Sequence, residues 1–169
     1  VYLWLHNFFR VLLLQFHIFC FVVSDEAGTA QLNVSDLSFR HSIVSKEYGN
    51  GNVQKVKKIR IGDLINQLNL DKVALLKIDA EGHDLSVLKG LFNSTKVQPK
   101  VIMFEAEKEN MKELVDLVKA NGYKYFRFIC RWNEESNMVF QKRIAVYDGL
   151  DPEALSSGGN VICTKEEFR

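Results

Sequence analysis

The fold turns on Leu75–Gly90, LLKIDAEGHDLSVLKG. An apolar run ends abruptly in four titratable residues, Asp79, Glu81, His83 and Asp84, and then helical spacing begins. Val73–Asp79 is nearly continuous in apolar residues, as expected for a strand buried on both faces. Gly82 is placed where the backbone must turn sharply. Leu85, Leu88 and Leu91/Phe92 then recur at the period of a helix. The stretch is therefore a strand, a tight turn and a helix, with the acids at the junction.

Downstream, VQPK (97–100) breaks the helix and VIMFEAE (101–107) reads as a second buried strand. Met111, Leu114, Val115 and Val118 mark an amphipathic helix, closed by Gly122 at the usual C-terminal position. YKYFRFIC (123–130), RIAVY (143–147) and NVICTK (160–165) are strand-like and imply an antiparallel finish. Upstream, Phe16–Val23 reads as a strand followed by the turn SDEAGT, and TAQLNV (29–34) and VKKIRI (56–61) alternate as half-buried strands. GDLINQL (62–68) predicts a short helix capped near Asp63, and 35–52 a loop. Alternating strands and helices imply parallel crossovers and an α/β sheet.

Three apolar runs end alike, at Asp25, at Asp79 and at Glu105. In open α/β sheets ligands bind beyond the carboxyl ends of the strands, so these acids should line one edge. A carboxylate there can accept hydrogen bonds from hydroxyls or amines, or take a proton. An acid after a strand can also serve the next helix, whose N-terminus carries partial positive charge. Asp84 reads as such a cap or first-turn residue, and Glu107 and Glu109 as a solvated helix start. Asp79, at the strand's last residue, is the candidate ligand contact, and His83 a candidate general base.

With 169 residues, 47% hydrophobic and 25% charged, the chain can bury one sizeable core. A net charge of +1 gives no reason to expect a nucleic-acid partner. Lys55, Lys57, Lys58 and Arg60 read as a solvated strand edge. Cys20, Cys130 and Cys163 each lie in an apolar run and read as buried free thiols, suited to a reducing, cytoplasmic compartment. No Cys/His spacing suggests a metal.

Residues 1–20 form a divergent, strongly apolar segment beginning at Val1, not Met. Arg10 interrupts it, which favours a buried helix or strand over a membrane span of about 20 residues. Association with a membrane through residues 1–23 stays open.

KIDAEGHDLSVLKG, with VIMFEAE and LVKANGY after it and VVSDEAGTAQLNV before it, resembles the FkbM-type methyltransferases. The hallmark comprises Lys77, Ile78, Asp79, Glu81, Gly82, Leu88, Lys89 and Gly90, and the likeness runs over roughly Phe21–Lys165. It implies that residues 21–169 form a partial domain with a Rossmann-like class I methyltransferase sheet. That sheet would be mostly parallel with an antiparallel C-terminal finish, and would lack its first strand or strands. It further implies S-adenosylmethionine as cofactor and O-methylation of a hydroxyl on a sugar or small metabolite. Asp79, Glu81 and His83 would then be catalytic, Ser24, Asp25 and Asp79 would bind cofactor, and Glu105 would bound the acceptor. No glycine precedes Gly28, so the family's glycine-rich cofactor turn is missing from the sequence, and S-adenosylmethionine should bind weakly or not at all. The alternative is a non-catalytic or truncated remnant acting as a binding or membrane-associated module.

Overall fold

A computed structural model of the chain describes residues 19–33, 53–80, 82–131, 144–148 and 159–168. They form an α/β arrangement of two mixed sheets and three helices. The strands are β1 (Val22–Val23), β2 (Gly28–Asn33), β3 (Val53–Ile59), β4 (Leu75–Lys77), β5 (Val101–Ala106), β6 (Tyr125–Arg131), β7 (Ile144–Asp148) and β8 (Gly159–Thr164). The helices are α1 (Ile61–Gln67), α2 (Asp84–Ser94) and α3 (Met111–Ala120). Every element expected from the sequence is present where the described residues reach; the expected start of the first strand at Phe16 and the 35–52 loop lie outside them.

The larger sheet has the order β4-β5-β8-β6-β7, and the smaller one β1-β3-β2. β4 and β5 are parallel, whereas β8 is antiparallel to both β5 and β6. Hence β4, β5 and β6 run the same way, with the reversed β8 inserted among them. The expected antiparallel finish is there, but pairing is mixed and not mostly parallel, because the last strand enters between β5 and β6 and turns two neighbours antiparallel.

Register explains the core. Ile102, Cys163 and Phe126 lie side by side across β5, β8 and β6, as do Phe104, Val161 and Phe128. All six are buried, and Ile78 joins them from the end of β4. Val87, Leu88 and Leu91 of α2 and Met111, Leu114, Val115 and Val118 of α3 complete the cluster. The opposite face of β4 is different. Leu75 is 58% exposed and Lys77 and Asp79 are exposed, so this strand is buried on one face, not two as its composition suggests. β4 is the outermost strand of its sheet, with a partner on β5 alone among the described residues.

Three further expectations are corrected. β3 lies between β1 and β2, so Lys55 and Lys57 stand on the solvated face of a central strand and Lys58 on its other, more covered face, none of them on an edge. Cys20 is exposed while Cys163 is buried, and Cys130 belongs to the side chains not described. Asp63 does not cap α1; it sits in the first turn and holds Arg60 through two hydrogen bonds, at 2.7 and 3.0 Å. No helix among the described residues is long and apolar enough to cross a membrane.

α2 is the element against which the others are built. A Cβ at Gly90 would fall on the carbonyl of Ser24, with the Ser24 carbonyl carbon at 2.9 Å and the Asp25 Cα at 3.2 Å. Backbone therefore meets backbone where the smaller sheet joins the helix. On the far side, a Cβ at Gly62 of α1 would meet the Ser94 hydroxyl and lie 3.0 Å from the Leu91 carbonyl oxygen. Asn66 and Thr95 tie the same ends together, Nδ2 donating to Ser94 O and Oγ1 to Asn66 Oδ1, both at 2.8 Å.

These approaches predict unequal costs. Gly90→Ala gains helix propensity but must separate two backbones, and should lose about 2 kcal/mol in urea unfolding, the usual scale of overpacking. Gly62→Ala should lose less, because its nearest obstacle is a side-chain hydroxyl that can turn away.

Candidate functional site

The site is assembled at the turn Ala80–Asp84, where the strand ends meet. Gly82 has φ +86°, the left-handed conformation expected of it, and nothing lies within 4 Å of the position a Cβ would take. The turn is therefore open on that side, next to the end of β4. The next two residues reach in different directions.

Asp84 is 1% exposed and is the first residue of α2. One carboxylate oxygen accepts from the Ala80 backbone N–H at 3.3 Å, and the other from that of Glu105 at 3.1 Å. Ala80 follows β4 and Glu105 lies near the end of β5, so one side chain fastens two strand ends. Of the cap or first-turn reading, the first-turn position holds: His83 occupies the N-cap position, without a side-chain capping bond, and Asp84 stands in the first turn with its carboxylate reaching the strand ends. Burial raises the Asp84 carboxyl above its ordinary value, opposed by the backbone donors that favour its charged form.

His83 reaches the smaller sheet. Its Nε2 lies 3.0 Å from Ser24 Oγ, and Ser24 Oγ donates to Asp25 Oδ1 at 2.8 Å. Ser24 is 2% exposed and extends the pairing of β1, its N–H donating to Ile59 O at 2.9 Å. Asp25 is exposed, and the Ser24 hydroxyl holds its carboxyl below the usual range. His83 is half-buried. Burial lowers its pKa, Asp25 and Asp84 pull it upward, and Lys58 pushes it down.

Asp79 lies beyond the end of β4, on the face of Leu75 and Lys77. It is exposed and accepts from Lys77 Nζ at 2.6 Å. The register Lys77↔Met103 carries forward to bring Glu105 onto the same face, also exposed. Asp79 and Glu105 both raise the pKa of Lys77, Asp79 chiefly through their hydrogen bond. Glu81 lies outside the described residues.

The expected site residues thus fall into two groups joined by the His83–Asp84 pair: Ser24, Asp25 and His83 in one, Asp79 and Glu105 in the other. The two strand-end contacts of Asp84 are what the sequence reading missed. Their signal is faint, a carboxylate four residues beyond Ala80, which returns to the strand end. Among the described residues, no group of three or more His, Cys, Asp or Glu side chains is placed to hold a metal ion.

A protein-family model described as the Methyltransferase FkbM domain matches residues 16–125. The chain belongs to this family. No curated protein and no solved structure matches it. The matched span takes in β1 through α3 and all the residues of both groups.

Asp84 and Asp79 should separate in a stability experiment. Asp84→Ala leaves two backbone donors without their acceptor and should lose about 2 kcal/mol in urea unfolding at neutral pH. Asp79→Asn, on an exposed pair, should leave the midpoint where it is. A carboxyl raised in the folded state contributes stability that is complete below its unfolded value and is lost as pH rises through its folded value. The wild type should accordingly lose stability relative to Asp84→Asn from about pH 4 upward. A flat difference across that range would contradict the burial of a charge there.

Proposed function

We propose that this domain is an S-adenosylmethionine-dependent methyltransferase acting on a hydroxyl of a sugar or other small metabolite. The observation that carries the reading is the convergence of Asp25, Asp79, His83 and Glu105 around one turn at the carboxyl ends of β1, β4 and β5. We read the larger sheet as part of a Rossmann-like class I sheet. Three of its five strands running one way, with the two reversed strands β7 and β8 in the C-terminal finish, support this.

The residues present suit such a cofactor. Its sulfonium is cationic, and exposed carboxylates at Asp25, Asp79 and Glu105 supply the opposite charge. Its amine and ribose hydroxyls are donors, and ionised carboxylates only accept. Ser24, Asp25 and Asp79 would hold it, and the open side of Gly82 leaves room for a ligand at the strand end. When bound, the cofactor supplies an activated methyl group.

The chain's own contribution is alignment and proton acceptance. Asp84 holds the ends of β4 and β5 at a fixed separation, so Asp79 and Glu105 are presented from a rigid support. His83, kept neutral by burial, is suited to take the acceptor's hydroxyl proton. Glu105 bounds the acceptor side and accepts from its other hydroxyls. We read Glu81 in the same role as Asp79, as the family resemblance implies.

Isothermal titration of the chain with S-adenosylmethionine tests the reading. Binding at about millimolar strength is expected, weak because no glycine precedes Gly28, and it should disappear in Asp25→Ala. Absence of binding by a folded wild-type chain, or unchanged binding in Asp25→Ala, would leave the non-catalytic module as the better account.

A further inference from the structure

We propose that Asp25, Ser24 and His83 form a hydrogen-bonded relay that fixes the tautomer of His83 and leaves its Nδ1 as the atom that receives the acceptor's proton. This inference rests on the reading of His83 as proton acceptor and names the atom and the supporting groups.

The assignment follows from counting protons. Ser24 Oγ lies between Asp25 Oδ1, at 2.8 Å, and His83 Nε2, at 3.0 Å. A serine hydroxyl has one proton to donate. The Asp25 carboxylate can only accept when ionised, and it is held in the ionised form at neutral pH. The hydroxyl proton therefore goes to Asp25. His83 Nε2 must carry its own hydrogen and donate it to Ser24 Oγ. A neutral imidazole has one N–H, so Nδ1 bears a lone pair. It has no hydrogen-bond partner among the described residues, and the ring is only half-buried.

The backbone makes this arrangement durable. Ser24 cannot withdraw from His83, because its N–H is tied to Ile59 O and its carbonyl is pressed against Gly90 of the helix that His83 begins. The two partners of the hydrogen bond are thus fixed to opposite ends of one rigid contact.

In the proton step, the acceptor's O–H bond breaks as an N–H bond forms at Nδ1. The electron pair stays on the acceptor oxygen, and the positive charge gained by the imidazole faces Asp25 through the Ser24 hydroxyl. Asp25 and Ser24 are positioning residues in this scheme; neither takes the proton. The charged groups around the ring are Asp25 after β1, Lys58 on β3 and Asp84 on α2. The first and last favour the imidazolium and Lys58 opposes it.

Long-range ¹H–¹⁵N correlation spectra of the uniformly labelled, cofactor-free chain test the relay. The chain has four histidines, and His83→Gln identifies the signals of His83. The wild type should show the Nε2–H tautomer and a titration midpoint below 6.5. Asp25→Asn, at an exposed site that cannot fail for packing reasons, should lower the midpoint further, since a carboxylate that favoured the cation is gone. Lys58→Gln should raise it. Ser24→Ala, with its fold checked by the amide spectrum, should give a mixture of tautomers. An Nδ1–H tautomer in the wild type would overturn the relay, as would a tautomer ratio and midpoint unmoved in both Asp25→Asn and Ser24→Ala. These readouts need no cofactor. Loss of the relay is thus distinguished from loss of the methyltransferase reading, which calorimetry tests.

Discussion

The Asp84 carboxylate is the point on which the site depends. It is buried at the start of α2 and accepts one hydrogen bond from the end of β4 and one from the end of β5. Parallel strands share no turn that could fix their ends relative to one another; their connection runs through a helix. Here that helix carries the fastening itself. Burying a charge is expensive unless it is satisfied, and two backbone donors together with the partial positive charge of a helix start meet that condition. The carboxylate offers a separate oxygen to each strand end. The acids proposed to face ligand can then remain exposed, because a different acid supplies the structural support.

The division of labour between adjacent residues follows from helix geometry. His83 and Asp84 leave the turn in different directions, one toward the smaller sheet and one toward the larger. Two sheets with no strand in common are thereby referred to the same dipeptide. The electrostatics are balanced locally. Lys77 faces Asp79 and Glu105, and Lys58 faces Glu26 with its charge felt at His83. The acidic edge is therefore moderated by lysines that lie on the strands themselves.

Much of the fold was legible because periodicity reports burial directly. Met111, Leu114, Val115 and Val118 are spaced for one face of a helix, and all four are buried. The strand–turn–helix at Leu75–Gly90 was legible for the same reason, with Gly82 in the left-handed conformation its position demanded. β4 was misjudged because composition cannot say whether a short apolar run has one covered face or two; Leu75 is as apolar as Ile78, yet one is exposed and the other in the core. The insertion of β8 between β5 and β6 was not legible, since local pattern carries no information about which distant strand becomes a neighbour. The strand contacts of Asp84 were missed for a related reason. A carboxylate at the start of a helix has two sets of backbone donors within reach, those of the helix and those of the strands beside it, and only the packed structure decides between them.

The contact between Gly90 and Ser24 has a consequence for how such a scaffold could diversify. It joins carbonyl to helix with no side chain between them, so it has no rotamer to change and no void to absorb a shift. The start of the site on β1 and the helix beneath it must move as one body. A protein built this way cannot tune itself to a new acceptor by sliding its layers. It can do so only through the side chains that this frame carries at its strand ends.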